Sequence, residues 1–354
     1  MKRLLTLIAL ALVAGALPAG AASKGSPPGQ IQRLQCHDDE DGAKQLKIPV
    51  DGEIATGRYA LPKEKKPATL VVFAHGYGHD SASWIDHMRN AAADHGVVTV
   101  TMDYRGTYRD DDGNVRGWFV KEGADDMIAA TKVFMEQCPS ITDTIIFGVS
   151  MGGNSSGLAV ARAAAEADAA DDPLFDYWFD IEGAVNVLET YAGAAALASS
   201  GNSFAVNARD DIEDEMGGKT PADDPAGYAD LAVVSHIDEI AASGVKGVVM
   251  VHAIEDGLVP YNQSREFVPS LLGSGIPVEM YTAGRHEGET GTTITGYSGN
   301  NGSPLAGHAS EKSQRHIVMT TALARLWELV DDGTVVETYM EYFVDPEAGT
   351  FPPR

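Results

Sequence analysis

A serine held between two glycines is the residue of this sequence best suited to chemistry. Residues 148–152, Gly-Val-Ser-Met-Gly, follow an apolar run that has the composition of a β-strand, and a segment of small residues comes after them. The pattern Gly-x-Ser-x-Gly between a strand and a helix is typical of a nucleophile elbow, a sharp turn that exposes the serine hydroxyl. The alternative, a serine in an ordinary glycine turn, fits the flanking segments less well. We therefore predict that Ser150 is a nucleophile.

A serine hydroxyl is a poor nucleophile until a histidine takes its proton and a carboxylate orients that histidine. Asp256 lies in a short loop after the apolar run 245–252, and a helix is expected just beyond Pro260. We predict that Asp256 is the acid. Glu255 is the alternative, because the sequence does not determine which of these two adjacent residues faces the histidine. The other interpretation is a surface carboxylate in a glycine turn.

Two histidines lie between the last predicted strand and the last predicted helix. His286 opens a glycine-rich segment, whereas His308 directly precedes a helix that we expect to run from Glu311 to Val330, with Ser310 as its N-cap. We favour His308 as the general base because a residue at a helix start can be held in one pose. His286 remains the alternative, and His316, inside the expected helix, is assigned to packing or to the surface.

The negative charge that develops on a substrate oxygen needs two backbone N–H donors. One is expected from Met151, the residue after the nucleophile. The other is expected from the loop His75-Gly76-Tyr77-Gly78, which follows an apolar strand at 68–74. Its glycines allow close approach of the backbone to a substrate, and Tyr77 would supply both an amide and an aromatic wall.

The remaining pattern predicts an α/β fold with a mostly parallel sheet, since near-continuous apolar strands alternate with helices. An extended pair is expected over 48–61, broken near Asp51-Gly52 and near Thr56-Gly57. Further strands are expected near 68–74, 97–102, 145–149, 178–181, 245–252 and 278–281, and helices near 84–95, 119–136 and 311–330. Residues 187–243 are rich in Ala, Gly and Asp and predict a helical cap insertion. Residues 287–307 have no periodic apolar pattern and predict a long loop.

Together these motifs resemble the α/β-hydrolase superfamily, in its serine esterase and lipase-like branch, over residues 45–330. The resemblance implies an α/β-hydrolase fold with flanking helices. The single residue between His-Gly and the next glycine is similar to esterases of medium acyl chains and to prolyl-oligopeptidase-like enzymes. The sequence Ser-Met-Gly-Gly is similar to the elbow of bacterial cutinases and polyester hydrolases. The 187–243 insertion and the lack of a late cysteine pair depart from those enzymes, so polyester cleavage is left open.

The first 22 residues have the basic start, apolar centre and small-residue exit of a secretory signal peptide. We therefore expect export to the periplasm or the extracellular medium, with residues 23–44 as a leader, 45–330 as the hydrolase domain and 331–354 as a C-terminal extension. Cys36 and Cys138 are the two cysteines of the sequence. In an exported chain such a pair predicts a disulfide.

The net charge and the motifs argue against several classes of binding partner and cofactor. The formal net charge of −25 disfavours nucleic acid and anionic lipid as partners. The acidic run at 110–112 lacks the ligand spacing of a calcium loop, and neither a zinc motif nor a phosphate-binding loop is present, so we expect no metal and no cofactor.

The sequence predicts a secreted carboxylic ester hydrolase acting through an acyl-enzyme on Ser150, with a small or polymeric ester as substrate. A peptidase or an acyltransferase with the same triad is the alternative, because the fold and triad do not select the leaving group. An inactive binding module is the more distant alternative. Acyl chain length and oligomeric state stay open.

Overall fold

The computed structural model describes residues 33–165, 172–284, 308–313, 316–336 and 338–344. Within them the strands are β1 (Ala43–Val50), β2 (Glu53–Ala60), β3 (Thr69–Ala74), β4 (Val98–Met102), β5 (Tyr108–Arg109), β6 (Val115–Arg116), β7 (Asp143–Val149), β8 (Tyr177–Ile181), β9 (Gly247–Ala253), β10 (Val278–Ala283) and β11 (Met340–Val344). The α-helices are α1 (Ile85–His95), α2 (Val120–Gln137), α3 (Met151–Ala163), α4 (Val187–Ala198), α5 (Ser203–Glu215), α6 (Pro225–Leu231), α7 (Ile237–Ala242), α8 (Asn262–Gly273) and α9 (Ile317–Asp332). Short 3-10 helices occupy Ser81–Trp84 and Val233–Ser235.

Nine of the strands in the described residues form one sheet in the order β1-β2-β4-β3-β7-β8-β9-β10-β11. The pairs β1–β2 and β2–β4 are antiparallel, and every later pair is parallel. The predicted α/β architecture with a mostly parallel sheet is therefore confirmed. Residues that follow β3, β7, β8 and β9 share one edge of the sheet, which is where ligands bind in open α/β folds.

Apolar residues cover both faces of the sheet. Along β3, Leu70 and Val72 pack into one core cluster, whereas Val71 and Phe73 pack into the other, as the period of two in a strand requires. The first cluster contains residues of α2, α3, α7 and α8, and the second contains residues of α1 and α9. Burial on both faces explains why the strands read as continuous apolar runs.

The N-terminal hairpin differs in detail from the prediction. A break was expected both near Asp51-Gly52 and near Thr56-Gly57, but the strands β1 and β2 turn only at the first place. Asp51 and Gly52 have φ values of 50° and 86°, the left-handed conformation that a two-residue hairpin turn requires. Gly57 instead lies inside β2. Glycine is needed there because a Cβ would collide with the backbone of Thr101 in the neighbouring β4.

The C-terminal part also differs. The last helix begins at Ile317 rather than at Glu311, and its N-cap is His316, whose Nδ1 accepts a hydrogen bond from the Val318 amide at 3.3 Å. Ser310 is therefore not a helix cap. Beyond residue 330, β11 pairs in parallel with β10 and extends the sheet by one strand.

Cys36 and Cys138 form a disulfide with Cα atoms 5.5 Å apart, so the predicted pairing is confirmed. The bridge joins the segment before β1 to the end of α2, across 102 positions of sequence. The 187–243 segment folds into α4, α5, α6, a 3-10 turn and α7. In the described part of the chain, no helix has both the length and the apolarity needed to span a membrane.

Candidate active site

Ser150 lies at the turn between β7 and α3 with φ 59° and ψ −123°. A positive φ is costly for a residue with a Cβ, and such strain persists only where the surroundings enforce it. Here the Ser150 amide donates to the Ile181 carbonyl at 2.9 Å, and its carbonyl accepts from Gly153 at 2.9 Å. A Cβ at Gly148 would collide with Gly152, which explains the first glycine of the motif.

The predicted acid and base are in contact. Asp256 follows β9, is buried, and accepts hydrogen bonds from the amides of Leu258 at 2.8 Å and Val259 at 3.0 Å. Its other oxygen lies 2.7 Å from Nδ1 of His308. Because a carboxylate can only accept, the proton is assigned to Nδ1, which directs the lone pair of the imidazole to Nε2. Glu255, the alternative acid, is exposed.

Ser150 and His308 line the same cavity, which has a volume of about 600 Å³. The alternative base, His286, and the 287–307 segment lie outside the described residues. The structure thus brings Ser150, Asp256 and His308 to one edge of the sheet, each in a loop that follows or approaches a strand end.

A second carboxylate that the sequence analysis missed lies beside this pair. Glu182 directly follows β8, has a positive φ of 48° and is fully buried. It accepts from the Ala253 amide at 3.2 Å and the Ala309 amide at 2.5 Å, and it lies 3.4 Å from Nδ1 of His308. The available signal was its position, since an acidic residue directly after a buried strand must lie at the site edge.

Donor atoms of Glu182, Asp256 and His308 lie within 4.8 Å of one another, a spacing that could hold a cation. The two carboxylates, however, already accept from backbone amides and face the imidazole. This arrangement suits a proton-transfer group, in which the carboxylates hold and stabilise a histidine that becomes charged.

Burial and the charges of neighbouring groups shift the pKa values of His308, Glu182 and Asp256. Burial opposes a charge on His308, but the carboxylates of Asp256 and Glu182 outweigh it and raise the His308 pKa to about 9. Burial and the neighbouring Asp256 raise the pKa of Glu182 well above its usual range. Although burial disfavours its charge, the two neighbouring histidines hold the pKa of Asp256 well below its usual range.

His252, on β9, contacts both the Asp256 carboxylate and the loop that follows it. Its Nε2 donates to the Val259 carbonyl at 2.9 Å and lies 3.3 Å from the Asp256 carboxylate. Its Nδ1 accepts from the Ser264 hydroxyl at 2.7 Å, which fixes the tautomer. No local pattern in the sequence distinguishes this histidine from an ordinary core residue.

The two segments predicted to supply the oxyanion donors lie beside the serine. Met151 is the first residue of α3, so its amide belongs to the first turn of a helix, where N–H groups have no intrahelical acceptor. Tyr77 follows Gly76, and a Cβ at Gly76 would lie 3.3 Å from the Ser150 Cβ. The loop after β3 therefore lies directly against the nucleophile, at the distance that close approach of its backbone requires.

The side chain of Tyr77 connects this loop to α5 of the 187–243 segment. Its hydroxyl donates to Asp211 on α5 at 2.5 Å, and its ring lies near those of Trp118 and Phe204. Asp211 is buried and also accepts two hydrogen bonds from Arg116, each at 2.8 Å. No local pattern in the sequence indicates this link between α5 and the loop after β3.

The 187–243 segment also supplies much of the cavity wall. Apart from Glu189 and Thr190, the residues of α4 and α5 that line it are small or apolar, and the loop after Asp256 adds further apolar side chains. They include Ala194, Leu197, Phe204, Ala205, Leu258 and Pro260. The cavity in front of Ser150 and His308 is therefore lined mainly by apolar side chains and few polar ones. Such a lining is usual for a pocket that binds a small organic ligand.

A family model described as serine aminopeptidase, S33, matches residues 65–170, which include the loop after β3 and Ser150. Among solved structures, the acylaminoacyl peptidase of Pyrococcus horikoshii has a TM-score of 0.53 and 20% identity, covering 86% of this chain and 43% of that chain. The esterase of Pyrobaculum calidifontis has a TM-score of 0.52 and 18% identity, covering 83% of this chain and 85% of that chain. No curated protein matches the sequence.

The chain has the α/β-hydrolase fold. The expected resemblance to this superfamily is thereby confirmed. The chain spans less than half the length of the acylaminoacyl peptidase that it matches. Because the matched proteins include peptidases and an esterase, the reaction class that the comparisons support is that of a serine hydrolase.

Proposed function

We propose that the protein is an exported serine hydrolase that cleaves carboxylic esters through an acyl-enzyme on Ser150. The observation that carries the proposal is the Asp256–His308 hydrogen bond of 2.7 Å in the wall of the cavity that contains Ser150. A base oriented by a buried acid, next to a serine in a strained turn, is the arrangement that activates a hydroxyl for attack on a carbonyl.

In the first half-reaction, Nε2 of His308 takes the Ser150 proton as the serine oxygen bonds to the acyl carbon. The tetrahedral oxyanion is held by the amides of Tyr77 and Met151. The imidazolium is stabilised by Asp256 and then gives its proton to the departing alcohol as the ester C–O bond breaks. In the second half-reaction, water gives a proton to His308 and attacks the acyl carbon, and His308 then returns that proton to the Ser150 oxygen as the acyl–oxygen bond breaks and the acid leaves.

The cavity favours an ester with a neutral, apolar acyl or alcohol part. Alanine, leucine and aromatic side chains make up much of its described lining. Apart from histidines, the charged side chains in that lining are those of Glu189 and Glu311. An anionic substrate would meet those carboxylates in a partly desolvated space, where like charges repel strongly. The similarity in length to the Pyrobaculum calidifontis esterase also supports an ester substrate.

Export is part of the proposal. Residues 1–22, which lie outside the described residues, have the signal-peptide pattern, and the Cys36–Cys138 disulfide suits an oxidising compartment. Detecting the mature N-terminus near residue 22 or 23 in protein recovered outside the cytoplasm would support it.

A peptidase is the second candidate, favoured by the matched family description and by the likeness to acylaminoacyl peptidase. The decisive experiment compares p-nitrophenyl esters with p-nitroanilides of the same acyl groups. We expect ester turnover with a burst of p-nitrophenol, and no comparable turnover of the anilides. Anilide cleavage with kcat/KM above that of the matched ester would favour the peptidase. Transfer of the acyl group to an added alcohol in preference to water would favour an acyltransferase.

A further inference from the structure

Glu311 is a buried carboxylate that the proposed reaction does not use. It follows His308 by three residues, it is 1% exposed, and it contributes to the cavity wall. One oxygen accepts the Gly76 amide proton, and the other lies 2.5 Å from Nδ1 of His79. Its backbone carbonyl lies 2.8 Å from Nε2 of His87 on α1.

These contacts connect two loops that are far apart in sequence. Gly76 and His79 flank Tyr77, the proposed oxyanion donor, on its two sides. The Gly76 carbonyl also accepts from the His79 amide at 3.3 Å, which closes a turn around Tyr77. A Cβ at Gly76 would lie 3.3 Å from both the Glu311 carboxylate and the Ser150 Cβ, so the contact is made next to the nucleophile.

Glu311 and His79 each favour the charged form of the other. Burial disfavours the charge on Glu311, but His79 and the Gly76 amide outweigh that effect and lower the Glu311 pKa. Burial also disfavours a charge on His79, yet Glu311 raises its pKa. A buried carboxylate is tolerated only when it is paired and hydrogen-bonded, and both conditions are met here.

We propose that Glu311 is a positioning residue that fixes the Gly76–His79 turn, and with it the Tyr77 amide, against Ser150. The inference rests on the proposed function. The loop that carries the general base thereby also sets the position of the oxyanion donor. Because an oxyanion amide helps only at the correct distance from the developing charge, loosening the turn should lower kcat and leave KM nearly unchanged.

The test uses the full mature protein with Glu311→Ala, Glu311→Gln and His79→Ala, and Lys312→Ala as the matched control. Lys312 is the next residue, is exposed, and does not line the catalytic cavity. Steady-state hydrolysis of a neutral p-nitrophenyl ester gives kcat and KM. The rate of phosphonylation by a neutral p-nitrophenyl alkylphosphonate reports the oxyanion interaction separately, since that reaction also builds negative charge on an oxygen beside the serine.

We expect Glu311→Ala to lower kcat and the phosphonylation rate by roughly 10- to 100-fold, with KM changed less than about threefold. Glu311→Gln, which keeps an acceptor for the Gly76 amide, should retain kcat within roughly fivefold of wild type. Glu311→Ala values within twofold of the Lys312→Ala values would overturn the proposal, and so would a rise in KM with kcat and phosphonylation preserved.

If Glu311→Ala does not fold, His79→Ala decides. It removes the second contact of the carboxylate and should lower kcat and phosphonylation in parallel, by roughly 3- to 10-fold. Rates equal to those of the control would overturn the proposal. Ser150→Ala in the same series separates the two levels of inference. Its retention of wild-type turnover would reject the proposed function, whereas a dead Ser150→Ala beside a fully active Glu311→Ala would reject only the positioning role.

Discussion

The charge around His308 predicts an alkaline rise in activity. The free base must be neutral to take the serine proton, and its pKa is raised from 6.5 to about 9 by Asp256 and Glu182 against the opposing effect of burial. At pH 7 only about one molecule in a hundred then carries a neutral His308, and at pH 9 about half do. We therefore expect kcat/KM to rise about fifty-fold between pH 7 and pH 9.

An unperturbed histidine predicts something different. With a pKa of 6.5, about three quarters of the molecules would already be neutral at pH 7, and the rise to pH 9 would be only about 1.3-fold. The assay measures kcat/KM on a neutral p-nitrophenyl ester, with spontaneous hydrolysis subtracted and product followed at its isosbestic wavelength. The rate of phosphonylation gives an independent profile, because it depends on the same base.

Glu182→Gln provides the matched perturbation. It removes the ionisable carboxyl but keeps one oxygen that can accept from either the Ala253 or the Ala309 amide, which donate to the two different oxygens of Glu182 at 3.2 Å and 2.5 Å. Loss of a carboxylate 3.4 Å from Nδ1 should move the acidic limb of the profile to lower pH. A wild-type limb near pH 6.5, or a Glu182→Gln limb displaced to higher pH, would refute the electrostatic reasoning.

Three further predictions concern the nucleophile, the disulfide and a buried carboxyl. Ser150→Ala should abolish ester hydrolysis with circular dichroism unchanged, and a fluorophosphonate should label Ser150; labelling at another serine would reject the assignment. Replacing Cys36 and Cys138 together by serine should lower the free energy of unfolding by about 2–5 kcal/mol in urea titrations, and an unchanged midpoint would contradict this. Burial raises the Asp180 pKa from 3.8 to about 7. The folded state then holds a proton that the unfolded state releases, so stability should fall by about 4 kcal/mol as the pH rises from 4 to 8. Asp180→Asn should flatten that dependence.

The sequence predicted most of the fold because its strands are buried on both faces. Continuous apolar runs located the strands that became β3, β4, β7, β8, β9 and β10, with ends shifted by one or two residues. Strand β11 was missed because it lies in the segment assigned to a C-terminal extension, although its residues, Met-Glu-Tyr-Phe-Val, are mostly apolar or aromatic. Gly57 was taken for a turn residue, although its function is to let a neighbouring strand approach.

The candidate site was less accessible to sequence reasoning. Motif and position selected Ser150, Asp256 and His308, since each carries a local pattern of strand end, glycine or turn. Glu182 shares the strand-end position but belongs to no recognised motif, and Glu311 carries no such pattern. Their contacts span 127 and 235 positions of sequence, to Ala309 and Gly76 respectively, and only the folded chain brings those partners together.

The reason for favouring His308, an adjacent helix start, is wrong, because α9 begins nine residues later at Ile317. The loop that contains His308 is held instead from outside: Asp256 binds its imidazole, Glu182 binds the next amide, and Glu311 ties it to the turn after β3. Glu182, Asp256 and Gly76, the residues that hold this loop, follow β8, β9 and β3 of one sheet. The position of the base is therefore set by the relative positions of the strand ends, which the sheet hydrogen bonds fix rigidly. A helix cap could hold the loop at one point only, whereas three contacts at separate points restrict both its translation and its rotation, as proton transfer over a hydrogen-bond distance requires.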